Sequence, residues 1–225
     1  MEPVTSKLFA NATSLSALQQ ETSRIAMIVA HSVWAAARAH PGQAFPGLRL
    51  QHYCVLATLI AVDVMHGLGW RRAVPLKCGL DVRGVAGRRH YQLTCGSPDA
   101  QQHPDLLNGH VVPLIDDVIV DLTLGQTRRP WNEVPTIGVF VAAPDEHRSI
   151  DILPDCRVPV IAGGHMFSLR GGVQLSYFKL PPSVEHATRN WMDLPDAPPC
   201  RRRKIVEAAL AIARSRLAET EPLAA

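Results

Sequence analysis

Two apolar runs separated by an acidic pair constrain the fold of this chain more than any other stretch. The runs cover residues 110–115 and 118–121, and Asp116 and Asp117 lie between them. A two-residue polar break between β-prone runs is typical of a β-hairpin with a short turn. With Asp116 and Asp117 as the turn residues, we expect four cross-strand pairs: Ile115 with Val118, Leu114 with Ile119, Val112 with Asp121, and His110 with Thr123.

The predicted register places a histidine and a carboxylate on one face of the hairpin. Side chains alternate between faces along a strand, so His110 and Asp121 become diagonal cross-strand neighbours. Such neighbours lie roughly 7–8 Å apart at the backbone, within reach of a long or aromatic side chain. An imidazole beside a carboxylate is held in one tautomer and stabilised as an imidazolium. The shared face comprises His110, Val112, Leu114, Ile119, Asp121 and Thr123.

A cysteine elsewhere in the sequence is positioned to serve as a nucleophile. Residues 55–69 predict a helix that is apolar on most sides and therefore largely buried, with Gly67 and Gly69 ending it. Cys54 falls in the first turn of this helix. The positive end of the helix dipole and the unsatisfied backbone N–H groups there favour a thiolate.

The remaining segments predict further helices around an antiparallel sheet. Helical spacing indicates an N-terminal helix over residues 14–39, capped by Ser14, and a C-terminal amphipathic helix over residues 201–218 with a basic start. We further expect strands at residues 70–78, 89–95 and 137–142, with a polar turn after residue 78, and short strands at 149–153 and 158–161. A second hairpin is expected at 166–170 and 173–180, and a short helix from Ser183 to residue 192.

Composition indicates an ordinary globular protein. Of 225 residues, 47% are hydrophobic and 19% are charged, and the net charge of +3 is too small to favour a nucleic-acid partner. No run of about eighteen apolar residues occurs, so we expect no membrane span. The start of the chain lacks the layout of a secretory signal, and five scattered cysteines without a CxxC spacing favour free thiols in the cytoplasm.

Three local patterns resemble one enzyme family. Cys54 at a helix start, Gly109-His110 opening a strand, and Asp121-Leu122-Thr123 followed by Gln126 are similar in order to the transglutaminase-like branch of the papain-like cysteine hydrolase fold. The resemblance covers about residues 51–126. The chain departs from the family in lacking Gly or Trp beside Cys54 and an aromatic residue after Gly109-His110.

The resemblance implies a fold and a set of roles. It implies an α+β fold in which an antiparallel sheet packs against the buried helix bearing Cys54. Residues 1–225 are then a single domain, with a core at about 48–180 and added helices at both ends. Cys54 is then the nucleophile, His110 the general base and acid, and Asp121 the residue that orients the ring. Gln51 and Gln126 are candidates for oxyanion or substrate contacts, as is the Cys54 backbone N–H.

The expected activity is thiol-dependent acyl chemistry on an amide or ester, without a cofactor or metal. The substrate is a peptide, a protein or a small amide, and hydrolysis is preferred over transfer to an amine, because the Arg-Gly-Gly-x-Cys lead-in of arylamine acetyltransferases is missing. The alternative is a catalytically inactive fold that binds a protein or peptide, with Cys54 as a small buried hydrophobic residue. A metal site formed by His52, Cys54, His66 and Cys78 is a further alternative, although it lacks the paired spacing of zinc ligands.

Overall fold

Helices and an antiparallel sheet segregate along this chain into an α+β architecture. The computed structural model describes residues 15–40, 53–86, 89–98, 107–141, 164–187, 193 and 198–220. The helices in these ranges are α1 (Ala17–Ala39), α2 (Cys54–Gly67), α3 (Pro182–Ala187) and α4 (Pro199–Thr220). The strands are β1 (Val74–Ala86), β2 (Arg89–Cys95), β3 (His110–Ile115), β4 (Val118–Asp121), β5 (Gly138–Val141), β6 (Gly164–Ser168) and β7 (Gln174–Phe178), with 3₁₀ turns at Leu124–Thr127 and Arg170–Gly172.

Strand β1 is the longest strand of the sheet and connects its two halves. The strand order is β5-β4-β3-β1-β7-β6, β2 also pairs with β1, and every pairing is antiparallel. Residues Val74 to Cys78 pair with β3, whereas residues from Gly79 onward pair with β7 and β2. This strand therefore brings the 110–121 hairpin and the second hairpin into one sheet.

The polar turn expected after residue 78 is wrong, because β1 continues through Gly79 and Gly84 to Ala86. Both glycines leave space for an aromatic ring rather than forming a turn. A Cβ atom at Gly79 would lie 2.1 Å from the Phe178 ring, and one at Gly84 would lie 3.0 Å from the Trp131 ring. The strand also begins at Val74 instead of residue 70, since Arg71 and Arg72 form a turn.

Both predicted hairpins form. Leu114 pairs with Ile119 and Ile115 with Val118, as expected, and Asp116 takes the left-handed conformation (φ 54°) that the tight turn requires. The expected pairs Val112–Asp121 and His110–Thr123 do not belong to this ladder, because β4 ends at Asp121. Strands β6 and β7 form the second hairpin, joined through the 3₁₀ turn that contains Gly171. The expected strands at 149–153 and 158–161 lie outside the described residues.

The terminal helices pack with α2 against one face of the sheet. Apolar residues of α1, α2 and α4 share one core cluster with Ile115, Val118 and Val120. Helix α1 begins one residue after Ser16, which forms a capping box with Gln19, so the expected cap at Ser14 is wrong. Within the described ranges, no helix is long and apolar enough to cross a membrane.

A buried hydrogen bond ties α2 to β3 beside His110. The Thr58 hydroxyl donates to the Val111 carbonyl at 2.8 Å, and both residues are buried. Thr58 follows Cys54 by four residues, so the two side chains lie on the same face of α2. The bond therefore sets the position of Cys54 relative to the start of β3.

Replacing Thr58 with valine is expected to destabilise the protein by about 1–2 kcal/mol, because the buried Val111 carbonyl loses its donor. Thr22→Val is the matched control. The Thr22 hydroxyl is buried and has no hydrogen-bond partner among the described residues, so its removal should be neutral or stabilising. Urea unfolding of the two variants measures both effects, and equal effects at the two positions would contradict this assignment.

Candidate active site

His110 and Asp121 form a buried hydrogen-bonded pair. The Nε2 atom of His110 lies 2.8 Å from Oδ2 of Asp121, and both side chains are fully buried. His110 is the first residue of β3 and Asp121 the last residue of β4, so the hairpin turn brings the two together. The expected contact between the two side chains is present, although the backbone ladder of the hairpin stops at Leu114 and Ile119.

Among the described residues, the Asp121 carboxylate has hydrogen-bond contacts with Thr123, Tyr177 and His110. Oδ1 of Asp121 accepts the backbone N–H of Thr123 at 2.9 Å and lies 3.3 Å from the Thr123 hydroxyl. Oδ2 accepts the hydroxyl of Tyr177 at 2.8 Å, in addition to the bond with His110. A carboxylate with this many donors remains charged despite its burial. Asp121 therefore both caps the turn that follows β4 and holds the imidazole.

The charges of the pair stabilise each other. Burial opposes an imidazolium at His110, but the Asp121 charge, its hydrogen bond and Cys54 outweigh burial, so the pKa of His110 lies well above its ordinary value. Burial likewise opposes the carboxylate, yet the charge and hydrogen bond of His110, with the bonds from Thr123 and Tyr177, keep the pKa of Asp121 below its ordinary value. The folded protein therefore favours an imidazolium–carboxylate pair.

Cys54 also interacts with the imidazole. It is the first residue of α2, and a hydrogen bond and a charge interaction from its thiol contribute to the raised pKa of His110. Since Nε2 is bound to Asp121, Nδ1 is the ring nitrogen that remains for the sulfur. Val111, the neighbour of His110, packs against Cys54, Val55 and Leu59 of α2. The structure thus brings together Cys54, His110 and Asp121, in the order expected from the sequence.

Gln126 also reaches the imidazole. Its Nε2 atom lies 3.5 Å from Nδ1 of His110 and 3.4 Å from the Thr123 hydroxyl. The side chain is half-buried, in the 3₁₀ turn directly after β4. Gln126 is therefore placed beside the ring nitrogen that is not bound to Asp121. Gln51, the other glutamine predicted from the sequence, lies outside the described residues.

Two further cysteines lie near the site but are poor nucleophiles. Cys78 is the cross-strand partner of His110, and burial raises the pKa of its thiol to about 12. Burial also raises the pKa of Cys95, on β2. Thiols held in the protonated form by apolar surroundings are unreactive.

Tyr177 is the site residue that the sequence analysis missed. It is fully buried on β7, far from residues 110–121 in the chain. The alternation of Val173, Leu175 and Tyr177 predicts a buried tyrosine, and a buried phenol needs a hydrogen-bond partner. Its partner could not be identified from local spacing, because the long strand β1 brings the two hairpins together.

A metal site that contains both Cys54 and His66 is incompatible with the length of α2. Cys54 and His66 lie at opposite ends of this helix, about 18 Å apart along its axis. The His66 ring instead contacts the Ala73 carbonyl at 2.8 Å. Among the described residues, no three His, Cys, Asp or Glu side chains are grouped as ligands for a metal ion. His52 lies outside those residues.

The His110–Asp121 pair predicts a pH-dependent contribution to stability. Because the pKa of His110 is raised, its contribution is complete below the ordinary value of 6.5 and is lost as the pH rises through the raised value. Because the pKa of Asp121 is lowered, its contribution is present above 3.8 and is lost as the pH falls through the lowered value. In urea unfolding, the stability advantage of the wild type over His110→Gln should therefore be larger near pH 6 than near pH 10.

The double variant His110→Gln/Asp121→Asn is the control for this measurement, because it removes both ionisable groups. Its unfolding free energy should vary less with pH than that of the wild type. An advantage of the wild type over His110→Gln that stays constant from pH 6 to pH 10 would show that the pair is not charged in the folded state.

Comparisons of the chain with protein-family models, with curated proteins and with solved structures find no match. The resemblance to the transglutaminase-like branch therefore rests on the motifs within residues 51–126.

Proposed function

We propose that this protein carries out thiol-dependent acyl chemistry on an amide or ester, with Cys54 as the nucleophile. The observation that supports the proposal is the hydrogen-bonded series from the Cys54 thiol through His110 to Asp121. A nucleophile, a base within hydrogen-bonding reach and a third group that orients the base are the three parts of such a site.

In the first half of the reaction, the Cys54 thiolate attacks the substrate carbonyl carbon and a tetrahedral oxyanion forms. As the bond to the leaving group breaks, the imidazolium of His110 gives its Nδ1 proton to the departing amine or alcohol. The acyl group remains on sulfur as a thioester. Asp121 keeps its charge throughout and holds the ring through Nε2.

In the second half, a water molecule attacks the thioester, and the neutral His110 ring takes its proton. The carbon–sulfur bond breaks, the acid leaves, and the thiolate and imidazolium are restored. An amine in place of water would give acyl transfer by the same steps. Hydrolysis is the preferred outcome, with a peptide, a protein or a small amide as the substrate.

The oxyanion of the intermediate requires hydrogen-bond donors near the sulfur. The backbone N–H groups in the first turn of a helix have no intrahelical acceptor, and Cys54 is the first residue of α2. Gln126 lies beside Nδ1 of the same imidazole, where its amide can contact the substrate. Both are therefore suited to binding a polarised carbonyl group.

The topology supports a papain-like or transglutaminase-like core as part of this proposal. The helix with the cysteine precedes the strands with the histidine and the aspartate, and it packs against their antiparallel sheet. Helices α1 and α4 are then additions at the two ends of the chain. A cytoplasmic location, in which the thiols stay reduced, completes the proposal.

A binding module with the same fold is the second candidate, and the burial of the site favours it. Cys54 is 7% exposed, and neither His110 nor Asp121 contacts solvent. A triad that no substrate reaches would stabilise the fold without any reaction. This candidate predicts that Cys54 is inert toward small electrophiles.

Alkylation by iodoacetamide at neutral pH tests the proposal. Cys54 is expected to react about tenfold faster than Cys78, because the imidazole activates the first thiol and burial keeps the second protonated. Peptide mapping by mass spectrometry gives the rate at each cysteine. Cys54 should also react faster than the other three cysteines, including the exposed Cys200.

The variant His110→Ala should slow the alkylation of Cys54 and leave that of Cys200 unchanged, which makes Cys200 the internal control. An activity-based thiol probe should label the same peptide. If Cys54 of the wild type is alkylated no faster than the other four cysteines, it is a buried structural residue, and the result supports the binding module.

A further inference from the structure

We propose that Tyr177 is a positioning residue of this site, which shares Oδ2 of Asp121 with His110 and thereby limits how tightly the carboxylate holds the imidazolium. The positioning role of Tyr177 rests on the function proposed above. The contact itself is independent of any reaction.

The contact between Tyr177 and Asp121 requires a strongly curved sheet. Strand β7 carries Tyr177 and is separated from β4, which carries Asp121, by β1 and β3. Three strand spacings of a flat sheet would put β4 and β7 roughly 14 Å apart. The 2.8 Å bond between the Tyr177 hydroxyl and Oδ2 is therefore made across the nearly closed sheet, with the long tyrosine side chain covering part of the distance.

The two oxygens of the Asp121 carboxylate have different partners. Within the part of the chain that the structure describes, Oδ1 contacts only groups of Thr123, in the turn directly after β4. Oδ2 accepts both the Tyr177 hydroxyl and the Nε2–H of His110, each at 2.8 Å. Two donors on one oxygen compete for its electron density, so the bond from Tyr177 weakens the bond to His110.

Tyr177 acts on Asp121 only as a donor. Burial and the Asp121 charge raise the pKa of the Tyr177 phenol well above its ordinary value, so the hydroxyl keeps its proton. The ring is held by neighbouring aromatic side chains, with centroids 5.9 Å from Phe140, 6.1 Å from Phe167 and 6.3 Å from His110. A fixed ring with a permanent proton directs that proton at Oδ2.

Loss of the Tyr177 hydroxyl changes the bond between His110 and Oδ2 of Asp121 and leaves the other interactions of His110 in place. Without the phenol, Oδ2 binds Nε2–H alone, and the imidazolium becomes harder to deprotonate. A more tightly held proton is given up more slowly to the leaving group. Among the described residues, the ionisable groups that interact with His110 or Asp121 are Cys54 of α2, Cys78 of β1, Cys95 of β2 and Tyr177 of β7, besides the pair itself. The charge of Arg129 lowers the pKa of the Cys95 thiol.

The test compares Tyr177→Phe with Tyr91→Phe, each in the full-length protein. Phenylalanine keeps the aromatic packing at position 177 and removes only the hydroxyl. Tyr91 stacks on Trp131 with a centroid distance of 5.3 Å and serves as the matched control. The measurement is the titration of the His110 ring, followed by NMR of ¹⁵N-histidine-labelled protein, with His110→Gln assigning the signal.

In Tyr177→Phe, the titration midpoint of His110 is expected to move to higher pH, and in Tyr91→Phe it should coincide with the wild type. Turnover of an amide or ester, where it is observed, should fall about three- to tenfold at neutral pH. A His110 titration in Tyr177→Phe that overlays the wild-type curve would overturn the proposal and would leave Tyr177 a packing residue.

The NMR titration separates this proposal from the proposed function. A raised His110 midpoint in a protein without turnover supports the role of Tyr177 and contradicts the acyl chemistry. Where Tyr177→Phe fails to fold, 3-fluorotyrosine at position 177 replaces it, because the fluorinated phenol is a stronger donor and should move the midpoint to lower pH. An unchanged midpoint with 3-fluorotyrosine likewise overturns the proposal.

Discussion

The hydrogen bond between His110 and Asp121 is the interaction around which the rest of this structure is organised. Each partner is fully buried, and each would be unfavourable there as an isolated charge. The hairpin turn at Asp116-Asp117 sets the strand register, and Thr123 and Tyr177 supply the remaining donors. Three clusters of buried apolar side chains surround the elements that carry the pair. A fully satisfied buried pair of this kind specifies one arrangement of the surrounding strands.

The cysteine reaches this pair because of its position at the first residue of a buried helix. Helix α2 is fixed to β3 by the Thr58–Val111 hydrogen bond and to α4 by the 2.6 Å ion pair between Asp63 and Arg202. These contacts fix the helix that carries Cys54 relative to the start of β3, where the imidazole lies. The basic start of the C-terminal helix thus contributes a structural contact, in addition to its solvated side chains.

The local part of the site could be predicted from the sequence, whereas the long-range part could not. The register of Leu114 with Ile119 follows from the alternation of apolar residues around a two-residue turn, and the place of Cys54 follows from the apolar helix behind it. The extent of β1 was missed because Gly79 and Gly84 look like turn residues, although they make room for aromatic rings. Tyr177 was missed because sheet curvature, which no local pattern encodes, brings it to Asp121.

Intact-mass analysis after brief exposure to an activated ester detects the acyl-enzyme, which is the species that Cys54, His110 and Asp121 are proposed to form. We expect one added acyl group, located on the peptide that contains Cys54, together with its loss over time in water. The acyl group should be absent in Cys54→Ala and formed more slowly in Asp121→Asn. Acylation elsewhere in the chain, or an equal rate in Asp121→Asn, would contradict the account.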